Sequence, residues 1–397
     1  MGLLLGVPVH FVGDFFAGEL LLGVIALLGI LTNLDNRNFP DRRFLAFTFL
    51  FLLSLCAYIA TDLLQNIAPA DALRGWARFV FLFMDFVGFY VIGRKSVANL
   101  CQIFIGMMVS QCLFYAFGAS AEITRLHLRA GFATWAYVWK YRLAMPVMVG
   151  VIAAITMYAR RSGVVFASLI ALVLAGLASF ALDDRYAGVN SLAAALWVAA
   201  RGMTLRRIQK LLPVLLTVAM LSGVFSIDLL LTRTRTQYGR RQAISNIYRE
   251  ASFMTAVETI AAHPLTGIGS WQIDFDAANR HRAWAVALGA KYDEEAYINQ
   301  YGHSSLLQPW VEAGPLGALA FFYLFWRIVI SLAWLLMKRP FDRYSVFILL
   351  LLLNGVAITF SPFNGGLVRL NVATAVYICI FLAREKASGP WQQAAAR

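Results

Sequence analysis

An all-α integral membrane protein, a polytopic bundle of transmembrane helices, is the fold class this sequence predicts, and three observations predict it. Of its 397 residues 60% are hydrophobic and only 14% charged, with a mean hydropathy of +0.68; a soluble domain carries about a quarter charged residues. The apolar residues fall in runs of roughly 18–22, enough for a helix to cross a hydrocarbon core of about 30 Å with its backbone groups satisfied. Short clusters of Lys and Arg separate the runs, as topology signals do in membrane proteins.

The runs predict helices near 15–34, 44–64, 76–93, 100–117, 144–158, 164–182, 189–200, 211–231, 314–337, 345–360 and 367–383. Residues 1–13 are apolar but short. Joined through a tight hairpin at Asp14 to Gly18 they would add a twelfth helix, so the expectation is 11 or 12 spans. The chain then divides into an N-terminal transmembrane bundle (1–231), a long hydrophilic loop (232–313), C-terminal transmembrane helices (314–383) and a polar tail (384–397). The start lacks a basic leader and an evident cleavage site, so no removable signal peptide is expected. All four cysteines (Cys56, Cys101, Cys112, Cys379) sit in apolar segments, and no disulfide framework is readable.

A net charge of +13 invites a nucleic-acid reading, but the cations cluster between apolar runs rather than on one soluble face. One set of loops holds Arg37, Arg42 and Arg43; Arg94 and Lys95; Arg160 and Arg161; Arg201, Arg206, Arg207 and Lys210; Lys338, Arg339 and Arg343; and Arg384 with Lys386. The alternate short loops near 65–75, 183–188 and 361–366 offer only Arg74 and Arg185. The positive-inside rule sets the first group in the cytoplasm. By alternation the loop 118–143 lies outside, despite Arg125, Arg129, Lys140 and Arg142, and so does the long segment 232–313. The histidines (His10, His127, His263, His281, His303) fall in or near that outer side. Chemistry there has no nucleotide sugar to draw on, so a transferase would need a donor already activated and carried by a lipid.

Within the long loop, 245–262 reads as an amphipathic helix, with Ile247, Ala251, Met254 and Ala261 recurring at three-to-four spacing. Ser245 or Asn246 would cap it, and Pro264 and Gly267 would stop it. Arg249 then falls in the first turn, in line with Phe253, Ala256 and Ile260. A cation there opposes the helix dipole, whereas a bound anion would reverse the sign; a snorkelling surface arginine is the equal alternative. His263-Pro264-Leu265-Thr266-Gly267-Ile268-Gly269 forms a glycine-hinged turn. His303 precedes Gln308 and Glu312 at offsets that stack polar groups on one helix face, where the helix emerges toward solvent.

Other charged groups carry paired readings. Arg233, Arg235, Arg240 and Arg241 crowd the exit of the preceding span, either as contacts to lipid phosphates or as headgroup-level cations. Asp274 and Asp276 form one Asp-x-Asp spacing, read as a solvated face, and Asp183 and Asp184 are adjacent rather than spaced; no metal site is expected. Asp85 lies deep in an apolar run, a functional candidate by default, with an ion pair to a neighbouring arginine as the preferred explanation. The 30 Phe, 15 Tyr and 10 Trp fit interfacial belts, or a groove for a polyprenyl chain.

Three signatures over roughly 164–320 resemble the O-antigen ligases and related polymerases. They are Arg185-Tyr186-Ala187-Gly188 at a short outer turn; Arg249 fifteen residues before Pro264-Leu265-Thr266-Gly267-Ile268-Gly269; and His303, Leu307, Gln308, Glu312, Gly314 and Gly317 in the spacing of a His-Asn-x-x-Leu-Gln-x-x-x-Glu-x-Gly-x-x-Gly motif. Asp184 stands where the family often has Ser, and Ser304 where it often has Asn. The resemblance implies a GT-C-like helical fold in the bacterial inner membrane, with the active site facing the periplasm. It implies transfer of an O-antigen glycan from undecaprenyl diphosphate to a sugar hydroxyl of lipid A–core oligosaccharide, without a required metal or cofactor. On that reading His303 is the base that takes the acceptor's proton. Arg185 and Arg249 fork onto the departing diphosphate, while His263, Gly267, Gly269, Gln308 and Glu312 support the site. A polymerase, a protein O-oligosaccharyltransferase and a non-enzymatic transporter are the alternatives; the last would show polar residues along several spans.

Overall fold

The computed structural model describes residues 1–10, 14–32, 41–116, 138–182, 184–202, 237–271, 275–289, 304–356 and 366–394. A single turn at Leu4–Gly6 leads into a small hairpin, β1 (Pro8–His10) paired antiparallel with β2 (Asp14–Phe16). Then come α1 (Ala17–Leu31), α2 (Arg42–Leu64), α3 (Pro69–Lys95) and α4 (Val97–Ala116). After a π-helical turn at Trp139–Leu143 follow α5 (Ala144–Tyr158), α6 (Arg161–Ala181) and α7 (Arg185–Gly202). The hydrophilic segment carries α8 (Gln237–Ala262) and α9 (Phe275–Ala287); α10 (Gln308–Met337), α11 (Ser345–Val356) and α12 (Gly366–Ala394) complete the chain.

The protein is a polytopic, helical membrane protein. Among the described residues α2, α3, α4, α6, α10 and α12 are long and apolar enough to cross a bilayer, while α1, α5 and α11 are apolar but shorter. Helices occupy the expected spans throughout, except 211–231, which lies outside the described residues. The extra helix expected from residues 1–13 is replaced by the turn and hairpin. Leu5, fully buried, packs where a side chain at Gly18 would otherwise stand, and the N–H of Phe16 is satisfied by Glu19 Oε2 at 2.5 Å.

The arginine-rich loops meet at one end of the bundle. Arg384 donates to Asp41 Oδ2 and to the Tyr90 hydroxyl, both at 2.6 Å. Asp41 also caps α2 by accepting the Arg43 N–H at 2.7 Å. Arg339 reaches Asp342 and Glu385 at 2.7 Å, its carbonyl accepts Arg201 at 3.0 Å, and Arg343 donates to Thr156 O at 2.9 Å. This is the basic end; the hydrophilic segment packs at the opposite, loop end.

An aromatic seam joins α2, α3 and α10. Phe47, Phe51, Phe79, Phe86 and Phe321 are buried and meet at centroid distances near 6 Å, such as Phe51–Phe321 at 6.2 Å. These rings therefore fill the interior rather than an interfacial belt. The bundle also buries ionisable groups within its apolar interior. Arg369 of α12 pairs with Glu19 of α1 at 2.9 Å, and Asp85 lies beside them fully buried, neither carboxylate oxygen hydrogen-bonded among the described residues. The arginine expected for Asp85 thus belongs first to Glu19.

Candidate functional site

The loop end is organised by a break in α10. Its second turn is interrupted at Ala313 and at Gly314, where φ is +67°, and Pro315 follows. In a continuous helix the Val311 carbonyl would receive an N–H from residue 315, which proline lacks. Instead Ile268 N–H donates to Val311 O and Gly269 N–H to Glu312 O, both at 2.9 Å. The broken helix thereby becomes the docking edge for the Pro264–Gly269 turn.

Glycine is required on both sides of this contact. A Cβ at Gly314 would stand 2.1 Å from Leu265 O, and one at Gly267, where φ is +69°, would stand 2.6 Å from the Glu312 carbonyl carbon. Two motifs that lie 40-odd residues apart in the chain interlock through their backbones, and that explains their glycines.

Under the turn lies a charged clasp. Glu312, 4% exposed, accepts Arg78 Nη2 at 2.7 Å and the Tyr58 hydroxyl at 2.6 Å on Oε2, and Gln308 Nε2 at 3.0 Å on Oε1. The Arg78 guanidinium lies between two rings, 4.9 Å from Trp271 and 5.7 Å from Tyr58. Beside it Asp62 Oδ1 accepts Ser270 N–H at 2.7 Å, while Oδ2 accepts Trp76 Nε1 at 2.7 Å and Ser270 Oγ at 2.8 Å. Thr61 Oγ1 donates to Thr266 O at 2.8 Å. The clasp ties α2, α3, the glycine turn and α10 together.

The expected residues fall unevenly on this frame. Gln308 and Glu312 share one face as expected, but that face is buried rather than turned to solvent. His303 lies outside the described residues, which resume at its neighbour Ser304; Ser304 is buried, with its carbonyl accepting Gln308 N–H at 2.9 Å. Arg185 opens α7, and its side chain lies outside the described residues. Asp184 precedes it and caps that helix through Ala187 N–H at 3.0 Å, a task Ser performs equally well. Tyr186 anchors the turn by donating to Leu353 O.

Helix α8 begins at Gln237, eight residues before the start read from sequence, so Arg249 sits mid-helix and the first-turn dipole argument does not apply to it. Arg249 is exposed, and Phe253 (50% exposed) and Val257 (43%) follow on the same line. The buried face instead uses Ala251, Ser252, Thr255, Ala256 and Thr259, and Ala256 packs with Ala277 and Val311. Arg233, Arg235 and Asp274 lie outside the described residues, as do the side chains of Arg240 and Arg241. His263 and Asp276 are exposed. His281 is buried between α8 and α9, stacked on Tyr248 at 5.9 Å. Its Nε2 is 3.3 Å from Tyr248 O and 3.2 Å from Ser252 Oγ. Burial pushes its pKa below the usual 6.5, against the upward pull of the Tyr248 carbonyl.

Tyr58, Asp62, Trp76 and Arg78 were not anticipated as site residues. The signal for Arg78 and Asp62 was present, since an ionisable group within an apolar run marks a candidate and its partner. The sequence model of the O-antigen ligase family matches residues 133–322, which includes α8, the glycine turn and the clasp's Gln308 and Glu312. That match covers just under half of the chain, and over residues 133–322 the protein is similar to the O-antigen ligase family. The family's enzymes form a glycosyltransferase-like group of ligases and polymerases. A C4-dicarboxylate transport protein of Verminephrobacter eiseniae (strain EF01-2) is 25% identical over 146 residues, 36% of this chain; the chain spans 29% of that protein's length.

Proposed function

We propose that this protein joins a glycan carried on undecaprenyl diphosphate to a sugar hydroxyl of lipid A–core, at the periplasmic face of the inner membrane. The acceptor oxygen forms its bond to the anomeric carbon as the bond from that carbon to the phosphate oxygen breaks. His303 takes the hydroxyl proton, and the leaving diphosphate keeps the electron pair, held by Arg185 and Arg249. A diphosphate is a good leaving group once cations hold it, so the reading requires no metal. The observation that carries this is the clasp. It seats the glycine turn and the start of α10 at the end of the bundle opposite the arginine-rich loops, and His303 is five residues upstream of Gln308. The exposed line from Arg249 through Phe253 and Val257 suits a ligand with a phosphate beside an apolar chain.

The test is transfer by purified protein given polyprenyl-diphosphate glycan with lipid A–core, or with no acceptor. Core-linked product only in the first arm supports the ligase, and longer carrier-linked chains in the second indicate a polymerase. His303→Ala is expected to abolish transfer at normal protein level; undiminished transfer removes the histidine from the mechanism.

A second reading has its own observation. Glu19, Asp85 and Arg369 are buried within the bundle, the pattern a transporter would show, and the Verminephrobacter relative is named as one. Uptake of a dicarboxylate by reconstituted protein, with no glycan transfer in either arm, would favour it.

A further inference from the structure

A cavity of about 490 Å³ lies at the basic end, bounded by α2, α10 and α12 and remote from the clasp. Its size is that of a small-molecule site, roughly 300–1,000 Å³. Three cations, Arg43, Arg327 and Lys386, share it with the apolar side chains of Ile330, Trp334 and Leu382. Among the described residues that line it, none is acidic.

Arg327 makes this cavity unusual. It sits ten residues before the end of α10, about 15 Å along the helix, and lines the same cavity as Arg43 and Lys386. Its Nε is buried with no hydrogen-bond partner among the described residues, and its guanidinium carbon is 6.0 Å from the Tyr323 ring. The acids of this end already hold arginines, and Asp41 also reaches one cation of the cavity, Arg43, loosely. Asp41 holds Arg384 at 2.6 Å and Arg43 at 3.8 Å, and Asp342 and Glu385 both hold Arg339 at 2.7 Å. A guanidinium in an apolar-walled pocket, with its Nε buried and unbonded among the described residues, calls for a counter-anion. Water-borne anions are poorly suited to walls of this kind, whereas an amphiphile fits them. The neighbouring surface of α10 is apolar and uncovered, with Trp326 60% and Val329 42% exposed.

We propose that this cavity binds an acidic phospholipid, its phosphate held by Arg327, Arg43 and Lys386 and its acyl chains lying along α10 past Trp326 and Val329. Basic pockets between transmembrane helices take acidic headgroups by the same physics. The site is separate from the transferase site and does not depend on that reading.

The test uses full-length purified protein in neutral detergent, titrated with phosphatidylglycerol, phosphatidylcholine or inorganic phosphate. Thermal midpoint and lipid retained in native mass spectrometry are read together. Phosphatidylglycerol is expected to raise the midpoint and stay bound, with little response to the other two. Arg327→Gln is expected to weaken that binding by about tenfold or more, since a charge-assisted contact is lost. Arg160→Gln, an exposed cation that does not line the cavity, is expected to leave it unchanged. If Arg327→Gln does not fold, Arg43→Gln combined with Lys386→Gln carries the same expectation. Equal binding of phosphatidylcholine, an equal response to inorganic phosphate, or phosphatidylglycerol binding undiminished by these substitutions would overturn the proposal.

Discussion

The two ends of this bundle use arginine in different ways. At the loop end Arg78 and Glu312 are almost fully enclosed, with side-chain exposures of 4% and 5%, among Tyr58, Gln308 and Trp271 beneath the glycine turn. At the basic end Arg384 is 33% exposed against an Asp41 that is 13% exposed, and the pair can exchange with water. A buried pair imposes geometry, because either partner alone is intolerable. A half-exposed pair mostly records which loops share a side. Gly267, Gly314 and Glu312 fall at the first kind of place and Arg384 at the second, while Arg339, 4% exposed between Asp342 and Glu385, shows that the basic end also holds one enclosed arginine.

Removing one partner should separate the two ends most sharply. Glu312→Ala leaves the Arg78 cation buried without its carboxylate, a loss of about 3–5 kcal/mol. Thermal unfolding in detergent should show it, with transfer lost as well. The double change Arg78→Met with Glu312→Met should recover a large part of the stability, since an apolar replacement carries no stranded charge. A single mutant as stable as the parent would show that the clasp does not hold α10.

Gly314→Ala should come next. The backbone there is left-handed, and strain of about 1–3 kcal/mol is expected from that alone, before the approach to Leu265 O is counted. Gly163→Ala, where nothing lies within 4 Å, is the matched control and should be neutral or slightly stabilising. At the basic end Arg384→Gln should cost less than about 1 kcal/mol, because solvent screens a partly exposed pair.

These contrasts also show what the chain made legible. Long apolar runs set most spans, since membrane helices must satisfy their own backbone and leave little freedom in length. The charge alternation foretold that the loops around Asp41, Arg201, Arg339 and Arg384 would meet. Residues 1–13 misled because hydrophobicity alone does not separate a short helix from a turn that leads into a hairpin. The start of α8 misled because Ser245 and Asn246 are good capping residues, yet the helix runs through them from Gln237. Gln308 and Glu312 were read on one face from spacing, but their partners Arg78 and Tyr58 lie more than 200 residues away. No local pattern encodes that pairing; only the fold of α2 and α3 against α10 creates it.

The smallest effect expected concerns the packing of α8 on α9, where a polar contact neither sets geometry as the clasp does nor marks a side. Burial disfavours the charged ring of His281, whose Nε2 lies between the Tyr248 carbonyl and the Ser252 hydroxyl. Its pKa in the folded protein lies below the 6.5 of the unfolded chain. Between those two values the unfolded state binds the proton more readily, so stability rises with pH across the window. The contribution is complete above pH 6.5 or so and is lost as pH falls through the lower, folded value. Hydrogen exchange of α8 and α9 amides should accelerate on acidification from pH 7 to 5, while amides of α2 and α3 beside the clasp stay protected. His281→Gln should flatten that dependence, since an amide can donate to Tyr248 O and does not titrate. An undiminished pH response in that variant would assign the effect to another group.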